Sequence, residues 1–205
     1  MNRFISFEGI DGCGKTTQIK LLSKYLDGKK LDNTIVREPG STNVSEKIRE
    51  ILLNNNNKIN PYTETLLFLS SRSQLVNEII TKNIDKKVFT LCDRFTDSTL
   101  AYQGYGRGLD KDMINVLNNF ATLNIKPDLT FILNISLSES IKRIGKNMDR
   151  MEESGLEFLN NVRLGYKKIS SIDNSRYKLI NCLDRTIEDI SDEIINCINK
   201  YYRMI

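Results

Sequence analysis

Histidine is absent from all 205 residues. That absence removes Ser-His-Asp and Cys-His nucleophile systems, His-containing zinc sites and imidazole proton shuttles. Chemistry here must be run by carboxylates, Lys, Arg, hydroxyls, backbone amides or a borrowed metal ion. The four cysteines, Cys13, Cys92, Cys182 and Cys197, form no C-x-x-C pair, so neither a zinc site nor a redox motif is suggested, and free thiols in a reducing cytosol are the simplest reading. No run approaches the ~18 apolar residues of a membrane span. The short apolar stretch after Met1-Asn2-Arg3 lacks the longer core and the cleavage site of a signal peptide. A net charge of +4 is too small and too evenly spread to imply a nucleic-acid surface. These absences predict a soluble, cytoplasmic chain with neither nucleic acid nor membrane as partner. Its length suits one domain over 1–205, with no Pro/Gly-rich linker to divide it.

What is present is an alternation of short apolar runs with helix-period segments. Strands are expected at 3–8, 33–37, 87–93, 128–135 and 177–182. Between them, 16–26 places Ile19, Leu22 and Leu26 on one face, and 62–84 carries Leu66, Leu69, Val76, Ile79 and Ile80. Asn60 before Pro61 is a helix start, and Thr186-Ile187-Glu188-Asp189 resembles a capping box that opens a last helix. The run Asn54 to Asn57 suits an exposed turn at a helix end. Strands alternating with helices predict βαβ units, a parallel sheet and helices on both faces.

The first strand leads into Gly9-Ile10-Asp11-Gly12-Cys13-Gly14-Lys15-Thr16, which fits G-x-x-x-x-G-K-[ST]. In such a loop glycines let backbone amides curl around an anion, the lysine reaches the β/γ-phosphates and the hydroxyl of Thr16 faces magnesium. The helix opening at Lys15 points its free amides at the same anion. A Gly-rich turn without a ligand would read the same from spacing alone. Asp93, ending the apolar run Val88 to Cys92, stands where a carboxylate would help hold magnesium; a helix cap or a partner for Arg94 would also account for it.

Transfer between phosphorylated partners gathers negative charge and calls for arginines from several loops. Arg37, Arg72 and Arg94 lie at strand ends or beside the expected cleft. Phe68 and Arg72 are one helical turn apart, which suits stacking and edge recognition of a planar base; a core Phe and a surface Arg would show the same spacing. Gly104, Gly106 and Gly108 imply a loop after Tyr102 and Gln103. The segment 142–153, with Lys142, Arg143, Lys146 and Arg150, reads either as a lid over phosphates or as a solvated basic turn.

Taken together, Phe7 to Gln18, Arg37-Glu38-Pro39-Gly40, Asp93-Arg94 with Ser98-Thr99, Ala101-Tyr102-Gln103-Gly104, Gly106-Arg107-Gly108 and Lys126 to Thr130 closely resemble thymidylate kinases of the bacterial type, along essentially the whole chain. The resemblance implies an α/β P-loop nucleoside monophosphate kinase fold with a five-stranded parallel sheet and a short lid. It also implies a homodimer and transfer of the ATP γ-phosphoryl to dTMP with Mg. By position, Gly9 to Thr16 would bind ATP with Arg143, and Thr16 with Asp93 would serve the metal. Arg37 and Arg94 would grip phosphates, Ser98 would line the dTMP side, Phe68 would stack on thymine and Arg72 would bond a base carbonyl. Tyr102 and Gln103 would check sugar and base edge, and Asp11 would face the acceptor sugar or the phosphate network. Because Asp11, Gly12 and Cys13 are not basic, the resemblance assigns the catalytic positive charge to the lid, with Lys146 and Arg150 the candidates beside Lys15 and Arg94. Kinases for other monophosphates and a regulatory nucleotide switch are the competing readings; the switch lacks a guanine-specifying Asn-Lys-x-Asp.

Overall fold

The computed structural model describes residues 1–145 and 149–204. Five strands, β1 (Phe4–Glu8), β2 (Asn33–Arg37), β3 (Phe89–Asp93), β4 (Leu129–Asn134) and β5 (Tyr177–Asn181), form one sheet in the order β2-β3-β1-β4-β5. Every pairing is parallel. The expected strands are all present; those at 3, 87 and 128 begin one or two residues late because Arg3 and Lys87 adopt positive φ, a turn conformation that breaks the ladder, and Asp128 turns its carboxylate back to the amide of Phe4. β1 is central and buried throughout, so its alternate residues serve two cores. Ile5 and Phe7 join Ile19, Leu22, Leu26, Phe131 and Ile194 on one face, while Phe4 joins Val36, Leu75, Val76, Ile80 and Phe95 on the other.

Helices α1 (Lys15–Gly28), α2 (Asn43–Leu53), α3 (Pro61–Leu75), α4 (Thr81–Asp85), α5 (Thr96–Thr99), α6 (Lys111–Ala121), α7 (Leu137–Ile144), α8 (Leu156–Ser170) and α9 (Ile187–Tyr202) cover the sheet. α3 runs through a π-helical turn, Val76–Ile80, into α4. The expected caps form: Asn60 accepts from the amide of Thr63 with Pro61 first in the helix, and Thr186 and Asp189 make a reciprocal box. The asparagine run is an exposed turn, with the Asn57 amide bonded to the carbonyl of Asn54.

The loop expected after Tyr102 and Gln103 is corrected over 104–106, and the chain leaves the helix only at 107–110. α5 continues as a π-helix, Leu100–Gly106, which packs against α8. Its glycines serve close approach rather than flexibility. A Cβ on Gly106 would lie 2.6 Å from the Phe158 ring, and one on Gly165 of α8 would lie 2.8 Å from Tyr105. The two helices therefore meet at a distance only glycine permits. Among the described residues no helix is long and apolar enough to cross a membrane.

Candidate active site

The carboxyl ends of β1, β3 and β2 open into two cavities that share a wall, where parallel α/β sheets place their ligands. The inner one, about 550 Å³, is walled by Phe68 and Arg72 of α3, Tyr102 and Gln103 of the π-helix, Pro39 and Met151. The outer one, about 1500 Å³, runs along the loop 9–16 past Lys15, Thr16, Arg37 and Asp93. Asp11, Glu38, Arg49 and Arg94 line both.

The loop after β1 has the curl its glycines require. Gly9 has φ 134, where a Cβ would come within 2.5 Å of the Leu133 carbonyl, and Gly14 caps α1 at φ 99. Ile10 and Cys13 are buried beneath the loop. Lys15 Nζ lies inside the curl, donating to the carbonyls of Gly9 (3.2 Å) and Ile10 (3.3 Å), with Asp11 3.8 Å away. On the far side, Arg143 of α7 reaches the carbonyl of Gly12 at 3.2 Å and pairs with Glu139. Thr16 Oγ1 donates to Asp93 Oδ2 at 2.9 Å. A hydroxyl and a carboxylate from separate elements thus converge beside the loop, an all-oxygen donor set that suits Mg, which takes few protein ligands and keeps water and phosphate oxygens.

Arg94 sits at the junction. Its backbone is left-handed at φ 72, which turns the side chain back over β1. The guanidinium meets Asp11 at 2.5 Å and donates to Gly9 O (2.9 Å), Tyr166 (3.2 Å) and Ser98 (3.3 Å). Burial alone would raise the Asp11 carboxyl, but the charges of Arg94 and Lys15 outweigh it and hold it at about 2. Asp11 also accepts from the Tyr102 hydroxyl at 3.1 Å. Asp11 is therefore a fixed anion that keeps two cations and a tyrosine at the loop.

Arg72 is not a surface charge. It is 1% exposed and donates to Glu38 (Nε, 2.8 Å), Thr99 (2.8 Å), Asn118 (2.6 Å) and the Phe95 carbonyl (2.9 Å), with Nη2 also 2.6 Å from the Glu38 carboxylate in an ion pair. In this arrangement it builds the cavity floor, and a base carbonyl would have to share one of those protons. Arg37 is half exposed and pairs with Glu46 at 2.9 Å, at the rim of the outer cavity. Arg150, expected to reach phosphates, is engaged elsewhere: it donates to Glu64 (2.7 Å) and the Leu52 carbonyl (2.6 Å). Lys146 lies outside the described residues.

Three site residues escaped the sequence reading. Arg49 sits in the interior of amphipathic α2, donates to the Pro39 carbonyl at 2.9 Å and faces both cavities. A search for strand-end arginines passes over it. Glu64 is buried behind Gln103. Glu8, the last residue of β1, accepts from the Phe95 amide (2.7 Å), Ser98 (2.6 Å) and Tyr166 (3.0 Å) and so fixes the segment that carries Arg94. An acidic residue closing a strand that is apolar but for Ser6 was the available signal.

Burial, helped by the negative charge of Asp97, pushes Glu8 up to about 7, with Ser98 and Arg94 opposing in part. Between pH 4.5 and about 7 the folded chain keeps a proton that the unfolded chain has released, so this carboxyl makes stability fall as pH rises through that window. The contribution is on the order of 3 kcal/mol. In melts from pH 5 to 8, Glu8→Gln should gain on wild type as pH rises; a constant difference would refute the assignment.

Comparison with known proteins agrees with this geometry. A sequence model of the thymidylate kinase family matches residues 7–194. A thymidylate kinase of Thermoanaerobacter sp. (strain X514) is 46% identical over 200 residues, covering 97% of this chain and 98% of its own. One from Kosmotoga olearia is 42% identical over 202 residues, covering 96% and 97%. The crystal structure of thymidylate kinase from Ehrlichia chaffeensis superposes with a TM-score of 0.79 at 33% identity, covering 97% of this chain and 98% of that one. Resemblance along the whole length, in sequence and in backbone, gives the phosphate loop and its walled neighbour their context: this chain belongs to the thymidylate kinase family and has its P-loop nucleoside monophosphate kinase fold.

Proposed function

We propose that this chain performs the family reaction, phosphorylation of dTMP to dTDP, with ATP and Mg held on the loop side of the cleft and dTMP in the inner cavity. The observation that carries this division is the shared wall. Asp11, Glu38, Arg49 and Arg94 border both cavities, so a phosphoryl group passing between them stays in contact with two arginines.

The acceptor arrives with its phosphate already ionised, so no residue need remove a proton. The amides of 9–14 and the α1 N-terminus cradle the β- and γ-phosphates, with Arg143 flanking the loop. Lys15 leaves its loop carbonyls to meet the γ-phosphate. Arg94 and Arg49 spread positive charge over the transferring group from the junction, and Arg37 holds charge at the rim. Thr16 and Asp93, whose side chains already meet, would hold Mg, and the ion would supply neutralisation of the negative charge that gathers on transfer. Phe68 stacks on the base, Tyr102 and Ser98 border the sugar and phosphate, and Gln103 reads the base edge. Arg150 ties the stretch that precedes α8 to Glu64. ADP release with ATP and Mg against dTMP, dUMP, UMP, CMP and AMP tests the reading. Equal turnover of all five, or turnover without acceptor, would reject it.

We also propose a homodimer. α3 and α6 pack side by side and leave Tyr62, Leu66, Met113, Val116 and Phe120 exposed, with Phe120 82% exposed. A second copy burying this face would account for such an apolar surface on a soluble enzyme. Sedimentation should show a dimer for wild type and a monomer for Phe120→Glu; an unchanged mass would rule this face out. The four unpaired thiols fit a cytoplasmic location.

A further inference from the structure

Glu64, in the first turn of α3, is fully buried and does not line the inner cavity, whereas Gln103 does. Its Oε1 accepts from Gln103 Nε2 at 2.9 Å and Arg107 Nε at 3.2 Å. Its Oε2 accepts from Arg107 Nη2 at 3.1 Å and Arg150 Nη1 at 2.7 Å. Burial would raise this carboxyl, but the hydrogen bonds from Arg107 and Gln103 and the charge of Arg107 prevail and hold it below its ordinary range. It is therefore an ionised, acceptor-only group at neutral pH.

This decides how Gln103 is oriented. A glutamine amide has a donor end and an acceptor end of nearly equal size, and only its partners determine which points where. Facing a carboxylate, the NH₂ end must turn to Glu64. The carbonyl end then takes the other corner, on the side of the cavity, and no donor among the described residues is directed at it. Thymine and uracil carry a proton on ring N3; cytosine does not.

We propose that Glu64 is a specificity-positioning residue: by holding Gln103 Nε2 it fixes Gln103 Oε1 as an acceptor for the N3–H of thymine or uracil and turns cytosine away. A group that never touches the base thus selects it. The inference rests on the placement of dTMP in the inner cavity proposed above. It separates two roles within one network, because Arg107 and Arg150 bind the same carboxylate only as its counter-charges and as ties to the π-helix and the stretch that precedes α8.

The test compares kcat/KM for dTMP and dCMP in wild type, Glu64→Gln and the exchange double variant Glu64→Gln/Gln103→Glu. In Glu64→Gln the Gln103 amide is free to turn over, and the dTMP:dCMP ratio should fall by about tenfold or more, through KM rather than kcat. The double variant keeps the total charge, and the carboxylate moved to position 103 again offers the base only an acceptor, so the ratio should recover. A purely structural Glu64 would lower both substrates together; an unchanged ratio in folded Glu64→Gln, or no recovery in the folded double variant, would overturn the proposal. Should either variant not fold, wild type decides: N3-methyl-dTMP should bind at least about tenfold more weakly than dTMP. Equal binding overturns the proposal while leaving dTMP turnover intact, whereas a wild type that fails to phosphorylate dTMP rejects the underlying reading instead.

Discussion

Lys15→Met is expected to lower kcat by about 10²- to 10³-fold, the scale seen when one preorganised charge or donor is removed from a transition state. The KM for dTMP should stay within about threefold, because Lys15 faces the outer cavity and is not part of the inner one. Methionine keeps the length of the side chain and its fit beneath the loop, where Lys15 is 6% exposed. The stability cost is limited to two hydrogen bonds onto carbonyls and a long one onto Cys13 Sγ, and the Gly9 carbonyl retains Arg94 as a donor. Asp11 also retains Arg94, so it is not stranded as a buried anion. Stopped-time ADP assays at saturating dTMP, with a melting curve alongside, check this directly. A kcat within about threefold of wild type in a folded variant would mean that the γ-phosphate is met by other cations, with Arg94 and Arg49 nearest the junction.

Much of the fold was legible because its signals are local. Short apolar runs marked five strands, Asn60-Pro61 and Thr186 to Asp189 marked two helix starts, and the phosphate loop carried its own strand and helix on either side. The glycines at 104 and 106 misled because the same residue serves flexibility and close packing. Only the Phe158 ring, far along the chain, reveals which is meant. The site was legible where motifs mark it and illegible where partners do. Nothing near Arg72 in sequence announces Glu38, Thr99 or Asn118, and nothing near Arg150 announces Glu64. Arg49 lies on a helix whose polar face looks like any solvated face until α2 is set against the cleft.

Arg72→Met is expected to destabilise the chain by about 3–5 kcal/mol, the cost of removing one partner from a buried ion pair. One guanidinium joins the end of β2 through Glu38, the segment after β3 through Phe95 and Thr99, and α6 through Asn118. Methionine fills the volume but answers none of these acceptors. Glu38 suffers most, since it is 5% exposed and its Oε1 already lacks a partner. Burial raises its carboxyl even with Arg72 opposing. Without that charge the rise is greater, and the folded variant holds a proton that the unfolded chain gives up. A raised folded value costs stability as pH climbs through it, so the deficit of Arg72→Met should be larger at pH 8 than at pH 5. Urea denaturation at the two pH values measures it. Arg72→Met/Glu38→Gln should recover part of the loss and flatten the pH dependence, because a neutral amide needs no buried counter-charge. A deficit below about 1 kcal/mol that is equal at both pH values would show that water reaches Glu38 and that the cavity floor is not held by this pair.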